Sequence, residues 1–468
     1  MELRQTNGEM TNEVSENKTS KMKHPPGLYL LFFTEMWERF SYYGMRALLV
    51  LYLTTEFVRG GLGVDKASAL NMYGTFASLV FLTPIVGGYI SDRYIGQRKA
   101  ITIGGIIIAI GQFVLFSNQS MTALYLGLFL LIIGNGFFKP NISTLVGHLY
   151  PEGDKRKDAA FTIFYMGINV GSFISPLICG TLAEKIMVTK QAGEIIHYGF
   201  RYGFLVAGIG MVIGQILFNL LSDRYLGDIG KTAVGKAKNI VDKETVNRPL
   251  TKQEKNRTIV ICILAAFVII FWTGFEQAGS SLTIYAQDYI NRQVGVWEMP
   301  VSWFQSLNPL FIILMGIPIS KLWIKLANRE KGDLSIPTKM AIGLIMLGVG
   351  FLLMVGAVMQ RGGNVTDTAV KANMLWLVGA YYLNTIAELC LSPVGLSMVS
   401  SLAPAKLASF LMGVWLLSSF VGNKIAGCVA AYTETLGHLE IFGGIAVISI
   451  VIGLILLTLN KRLVAMMK

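Results

Sequence analysis

Five polar residues share one side of the helix that an otherwise apolar segment near the start of the chain would form. The segment covers residues 28–53, which is long enough to cross a bilayer. Spaced mainly three or four apart, the five are Glu35, Glu38, Arg39, Tyr42 and Arg46. A charge at the bilayer centre costs at least about 3 kcal/mol. These charges therefore predict ion pairs or a wet path through a membrane, with carboxylates that can carry protons.

The composition is that of a membrane protein. Of the 468 residues, 53% are hydrophobic and 15% are charged, and the mean hydropathy is +0.55. Soluble globular chains contain about 25% charged residues. A helix of about 20 apolar residues spans a bilayer, so the sequence predicts an all-α membrane protein with twelve transmembrane helices. The predicted spans are roughly 28–56, 69–91, 98–117, 121–148, 157–185, 201–222, 258–286, 303–325, 338–360, 371–402, 405–432 and 438–463.

The net charge of +12 is explained by membrane topology, and we expect no nucleic-acid partner. With both termini in the cytoplasm, most Lys and Arg fall on the cytoplasmic side, which is the positive-inside pattern. The few in loops on the other side are Arg59, Lys66, Lys185, Lys190, Arg201, Arg292, Arg361 and Lys371. We therefore expect a multi-pass protein of the cell membrane, surrounded by lipid.

Two features of the sequence exclude other classes of site. Residues 1–27 are polar and lack the apolar core of a signal peptide, which predicts a disordered cytoplasmic tail. The four cysteines fall inside spans without metal-binding spacing or an obvious disulfide partner. They are Cys179, Cys262, Cys390 and Cys428. We expect no metal site and no cofactor, with protons as the coupling ion.

A basic, polar segment at 223–257 divides the chain into two parts. It predicts an N-terminal six-helix bundle at 28–222 and a C-terminal one at 258–468. The halves resemble each other weakly, since glutamates recur in spans 1 and 7, and Pro140 in span 4 aligns with Pro393 in span 10. Related halves indicate a transporter that binds its substrate between them, near the middle of the membrane.

Ionisable residues inside the spans occur in both halves. They are Glu35, Glu38, Arg39, Arg46, Lys139, Glu276, Glu388 and Lys424. One interpretation is a static network of ion pairs that locks helices together. The other is a set of groups around a central cavity, where a ligand or a proton displaces a partner. Lys424 has no evident partner in the sequence. Because no histidine lies deep in a span, protons would have to move on carboxylates.

Several motifs resemble one family. Residues 35–44, EMWERFSYYG, match the E-x-x-E-R-F-x-Y-Y-G signature of the proton-dependent oligopeptide transporter family of the major facilitator superfamily. The segments 87–99, 134–143 and 164–173 resemble its loop between spans 2 and 3 and its signatures in spans 4 and 5. In the second half, Glu276, Asn308 with Pro309, and Glu388 with Ser392 continue the match, which covers essentially 28–463.

The resemblance implies import of di- and tripeptides driven by protons, by a protein that works as a monomer. Arg39, Tyr43 and Lys139 would face the peptide carboxylate, and Glu388, Asn169 and Asn308 would hold its amino terminus. Trp272 and Trp415 would line side-chain pockets. Glu35 and Glu38, with Arg39 and Glu276, would couple protons. The remaining substrate-binding candidates are Tyr42, Arg46 and Ser392.

The resemblance also implies two gates formed by salt bridges. The outer gate would pair Arg46 with Glu276, and the inner gate would pair Lys139 with Glu388.

Two departures from relatives matter. Segment 223–257 contains no apolar run long enough for the extra helical pair that many bacterial relatives have. Gly74 stands where mammalian relatives carry a histidine, which leaves Glu35, Glu38 and Glu276 as candidates for proton coupling.

Three other functions stay open at this point. The first is a symporter of the same family for nitrate or another small anion, against which the carboxylate of Glu388 argues because it would repel a bare anion. The second is a nutrient sensor that binds peptide without moving it, although the chain has no large soluble signalling domain. The third is a membrane enzyme such as an acyltransferase, which would need a nucleophile and a base in the membrane.

Overall fold

The structure is a computed structural model that describes residues 23–151, 154, 156–233, 249–329 and 332–467. The predicted tail lies mostly outside these residues, as does the middle of the predicted linker. The helices of the first half are α1 Pro26–Thr54, α2 Lys66–Ile90, α3 Gln97–Ser117, α4 Met121–His148, α5 Arg156–Thr181 and α6 Phe200–Leu226. Single π-helical turns follow α2 at Ser91–Ile95 and α5 at Leu182–Ile186.

The second half repeats this plan with more breaks. Its helices are α7 Lys252–Phe275, α8 Ser281–Tyr289, α9 Leu307–Ala327, α10 Ile336–Gln360, α11 Met374–Leu402, α12 Ala408–Ala431, α13 Thr433–Leu436 and α14 His438–Met467. A 3-10 turn, Glu276–Gly279, joins α7 to α8, and the 3-10 helix Val301–Ser306 leads directly into α9. Thr251 and Glu254 form a capping box that begins α7.

Within the described residues, six short strands lie in the loops between helices. They are β1 Thr189–Gln191, β2 Glu194–His197, β3 Ile290–Asn291, β4 Gln293–Val294, β5 Trp297–Glu298 and β6 Ala372–Asn373. β1 pairs with β2 and β4 with β5 in antiparallel hairpins, whereas β3 and β6 pair in parallel. Each hairpin lies within one loop, whereas the β3–β6 pair connects two different loops.

Twelve membrane crossings are present in the described part of the chain. Eleven segments are long and apolar enough to cross a membrane by length and composition. The twelfth is α1, whose 29 residues span about 43 Å at 1.5 Å per residue. It is not counted among the apolar segments because it carries the four charged residues Glu35, Glu38, Arg39 and Arg46. The helix whose charges lie in the middle of its crossing is thus the one that an apolarity criterion alone would miss.

The helices form the predicted two bundles of six crossings. In the first, α1 packs on α5 and α6, and α3 packs on α4 and α6. In the second, α10 packs on α11 and α14, and α12 packs on α7. The predicted limits of the linker need correction, because α6 continues to Leu226 and α7 already begins at Lys252. The polar residues there extend the helices beyond the apolar core.

The two faces of the protein can be told apart by contacts at helix ends. The start of α1 packs on the ends of α4 and α6, where Gly27 lies against Leu149 and Leu226. The start of α7 meets the end of α14, because Arg257 Nε donates to the carbonyl oxygen of Met467 over 2.9 Å. We call this the terminal face and the other end the opposite face.

Close backbone contact joins the bundles in the half near the opposite face. A Cβ built on Gly74 in α2 would lie 2.5 Å from the Cα of Gly427 in α12. This spacing leaves no room for a side chain, since helices approach so closely only where small residues face each other. It also explains physically why Gly74 could not be a histidine in this arrangement.

We expect Gly427→Val to force α2 and α12 apart and to open the opposite face. Spin labels on cysteines introduced at Val58 and Val296, which are exposed on that face, would report a longer distance. Gly413→Val is the matched control on α12, because a Cβ there meets no atom within 4 Å. An unchanged distance in Gly427→Val would contradict the role given to this contact.

Candidate functional site

A cavity of about 190 Å³ lies between the two bundles. Its walls come from α1, α2, α4 and α5 on one side and from α7, α9 and α11 on the other. It brings together most of the predicted site residues. Those in its wall are Arg39, Tyr42, Tyr43, Arg46, Lys139, Asn169, Trp272, Glu276, Asn308, Glu388 and Ser392.

The carboxylates of α1 lie behind the cavity wall and reach it through Arg39. Arg39 Nε donates to the Glu38 carboxylate and lies 3.2 Å from Glu35 Oε1. Glu38 Oε1 also accepts from Asn135 Nδ2 over 3.2 Å, which connects α1 to α4. All three charged side chains are buried. Glu35 and Glu38 can therefore act on the cavity by changing the pairing of Arg39, without touching a bound molecule.

This cluster contains buried polar atoms that are not hydrogen-bonded. Glu35 Oε2 and Arg39 Nη2 have no partner among the described residues. An unpaired polar atom in a buried site costs free energy. A water molecule could pair with either atom, and a proton on Glu35 Oε2 would remove the buried charge, which suits a group that changes its protonation state.

An ion pair joins the bundles on the side of the cavity toward the opposite face. Arg46 Nη2 in α1 donates to Glu276 at the end of α7. Arg46 Nε donates to the hydroxyl oxygen of Tyr73 in α2 over 2.6 Å. The pair that the resemblance implies for the outer gate is thus formed in this structure. Sequence reasoning missed Tyr73, which lies outside every quoted motif.

The pair that the resemblance implies for the inner gate is not formed in the described residues. Lys139 Nζ lies 4.7 Å above the centre of the Phe81 ring. Glu388 Oε2 accepts from Asn308 Nδ2 over 2.9 Å. The same Nδ2 lies 3.2 Å from Thr385 Oγ1. Lys139 and Glu388 therefore face the cavity with other partners, and both charges are available to a ligand.

Aromatic side chains form the apolar part of the wall. Trp272 and Phe275 meet edge to face, with ring centres 5.4 Å apart, and both line the cavity with Tyr165. Trp415 does not line it, contrary to the sequence prediction. Its indole is 5% exposed and packs into the space left by Gly395, where a Cβ would lie 2.0 Å from Trp415 Cζ2. The indole stabilises α11 against α12 instead.

Two further residues differ from what the sequence suggested. Lys424 has a partner, because its Nζ donates to Thr75 Oγ1 over 2.7 Å across the bundle interface. Asn169 Nδ2 donates to the carbonyl oxygen of Tyr165 in its own helix over 2.9 Å, and its side chain still lines the cavity. Lys424 thus adds a contact between α12 and α2 beside Gly74 and Gly427.

Comparison with known proteins assigns this chain to a family. The sequence profile of the POT family matches residues 98–234 and 223–443. The chain belongs to the POT family. It is 37% identical to the uncharacterized transporter YclF of Bacillus subtilis, covering 95% of each chain. It is 31% identical to a di-/tripeptide transporter of Lactococcus lactis subsp. cremoris, over 96% of this chain and 98% of the relative.

A solved structure supports the same conclusion about the fold. The crystal structure of the peptide transporter POT in complex with sulfate matches with a TM-score of 0.85. The identity is 33%, and the match covers 95% of this chain and 96% of that one. The fold is therefore the predicted major facilitator fold. The protein is a membrane transporter and not an enzyme.

We expect Tyr73→Phe to lower the stability of the transporter. The change leaves Arg46 Nε buried without its acceptor, which costs about 1–3 kcal/mol. The midpoint of thermal unfolding in detergent should fall by a few degrees. Tyr202→Phe serves as the control, since Tyr202 is exposed on α6 and its hydroxyl has no hydrogen bond to a described residue. Equal midpoints for the two variants would contradict the importance of this bond.

Proposed function

We propose that this transporter imports di- and tripeptides together with protons by alternating access, across the cell membrane and with both termini in the cytoplasm. The observation that carries the proposal is the distribution of charge around the cavity. Arg39 and Lys139 reach it from one bundle, and Glu388 reaches it from the other. The names of the relatives, which include di-/tripeptide transporters, support peptides as the substrate class.

A peptide suits this distribution of charge. Its carboxylate and its ammonium are opposite charges at a nearly constant separation, whereas its side chains vary. The cations of the first bundle would take the carboxylate, and Glu388 with Asn308 would take the ammonium. The apolar wall around Trp272 and Phe275 would accept many side chains without specific hydrogen bonds. A small anion such as nitrate fits less well, because Glu388 would repel it.

The observed contacts correspond to a state that is closed at the opposite face. Arg46 and Glu276 are paired there, while Lys139 and Glu388, nearer the terminal face, are not paired with each other. Under the proposal, with the termini in the cytoplasm, a state closed at the opposite face would face inward. Pairing of Lys139 with Glu388 and separation of Arg46 from Glu276 would give the outward-facing state. Helical bundles switch between such discrete arrangements by rigid-body movement.

Proton coupling would use the carboxylates that hold the cations. A proton on Glu276 would release Arg46 and allow the opposite face to open. A proton on Glu35 or Glu38 would free Arg39 for the peptide carboxylate. One charge that moves through 100 mV supplies about 2.3 kcal/mol. This is equivalent to a concentration ratio of roughly fifty, so one proton per peptide would give useful accumulation.

We expect Lys139→Ala to reduce dipeptide uptake into proteoliposomes at least tenfold. The reason is the loss of a cation that pairs with the peptide carboxylate in a buried site. A dipeptide with an amidated carboxyl end should compete poorly with the free acid in the wild type, and the difference should shrink in the variant, where Arg39 is the remaining cation for the carboxylate. Lys325→Ala is the control, since Lys325 is exposed at the end of α9. Wild-type uptake and selectivity in Lys139→Ala would reject this role.

We expect Glu35→Gln to abolish accumulation driven by a pH gradient and to retain exchange of labelled for unlabelled peptide. The amide cannot release a proton, but the binding site stays intact because Glu35 lies behind Arg39. Both processes are measured in the same proteoliposomes. Glu56→Gln, at an exposed glutamate beyond the end of α1, should change neither. Accumulation at the wild-type level in Glu35→Gln would remove this residue from the coupling mechanism.

A further inference from the structure

A buried glutamate far from the peptide cavity makes an unusual contact between the bundles. Glu184 lies in the π-helical turn after α5, near the opposite face, and is 6% exposed. Its Oε2 accepts from the backbone N–H of Val301 over 2.7 Å, and its Oε1 accepts from that of Ser302 over 3.1 Å. A carboxylate of the first bundle thus binds two main-chain donors of the second.

Val301 and Ser302 begin the 3-10 helix Val301–Ser306, and three more contacts connect α5 to this helix. Trp303 Nε1 donates to Thr181 Oγ1 over 3.0 Å. Ser306 Oγ donates to the carbonyl oxygen of Phe173 over 2.8 Å. A Cβ built on Gly180 would lie 1.7 Å from Ser302 Oγ, so the two elements touch without space for a side chain. We call the contacts of residues 173–184 with Val301–Ser306 the α5 clasp.

The α5 clasp is separate from the Arg46–Glu276 ion pair. It uses α5 and the start of α9, whereas the ion pair uses α1 and the end of α7. Its energetic character also differs, since hydrogen bonds to a charged acceptor are about twice as strong as neutral ones. A buried carboxylate left without these donors would pay a large desolvation cost. Glu184 therefore strongly favours the state in which the clasp is closed.

Space for a water molecule lies beside the carboxylate. A small cavity of about 30 Å³ lies beside Glu184 and is also lined by Lys185, Tyr198, Arg292 and Glu298. A water molecule needs about 10–15 Å³ of such space and two or more polar partners. Lys185 and Arg292 both bind Glu298, over 3.3 and 2.6 Å. Hydration of Glu184 from this cavity would make the opening reversible.

The clasp is also connected to the peptide cavity. The 3-10 helix Val301–Ser306 continues without a break into α9, which begins at Leu307. Gln305 and Asn308 on this continuous segment line the cavity, and Asn308 holds Glu388. Movement of the segment away from α5 would therefore displace two side chains of the peptide site together with the gate.

We propose that Glu184 is a positioning residue of the transport cycle. It holds the opposite face closed through the α5 clasp and releases Val301 and Ser302 when that face opens. The proposal rests on the alternating-access part of the proposed function. It adds a second latch that acts through the backbone of the partner bundle and moves Gln305 and Asn308 with it.

The test measures the distance across the opposite face without any peptide. Spin labels are attached to cysteines introduced at Val58 and Val296, with Cys262 and Cys428 replaced by serine. Glu184→Ala and Glu184→Gln are compared with the parent in lipid nanodiscs. Both variants should lower the ratio of the population at the short, closed distance to the population at the long, open distance. For Glu184→Ala the ratio should fall by about tenfold or more, because two bonds to a charged acceptor are lost. Glu194→Ala is the matched control, since Glu194 is exposed in β2.

A second measurement distinguishes a latch from a residue that only stabilises the fold. Each variant is tested for binding of a labelled dipeptide, with its dissociation constant measured in detergent. Glu184→Ala that binds peptide and keeps the parental distances overturns the proposal. If Glu184→Ala does not fold, Glu184→Gln decides by the same criterion, because it keeps the shape of the side chain. A shifted distance in Glu184→Ala, together with a parent protein that binds no peptide, would support the latch and reject the proposed function.

Discussion

The charges of α1 must find partners inside the membrane, and the structure is organised around that requirement. Arg39 and Arg46 lie on one helix, seven residues apart in the sequence, but their partners lie in different places. Arg39 is held within the first bundle by Glu35 and Glu38, whereas Arg46 pairs with Glu276 of the second bundle. One helix therefore carries both an ion cluster within its own bundle and an ion pair with the other bundle.

The proposed coupling of transport to protons would have a physical basis in this arrangement. A cation buried at low dielectric cannot lose its carboxylate without another partner. A peptide carboxylate, a proton on the glutamate or water can each serve, and each favours a different position of the bundles. The static-network interpretation of the same charges is weakened by Lys139 and Glu388, which face a common cavity and are not paired with each other.

The opposite face is closed by contacts of several kinds. Gly74 and Gly427 bring two backbones together, Arg46 and Glu276 pair as ions, and Glu184 binds main-chain donors. These contacts use α2 with α12, α1 with α7, and α5 with the start of α9. Because they lie on different helices, a rigid-body movement has to break them together. Such concerted loss of contacts favours two distinct states over a range of intermediate ones.

The sequence by itself determined which helices cross the membrane, that α1 carries buried charges, and which charged residues line the cavity. These features follow from local rules, because apolar length decides insertion and a spacing of three or four decides a helix face. Only the tertiary structure decided the partners. It placed Trp415 against Gly395, gave Lys424 the hydroxyl of Thr75, and brought Tyr73, Asn135 and Glu184 into contacts that no spacing reveals. A partner on another helix depends on packing across the whole chain, and packing has no local signal.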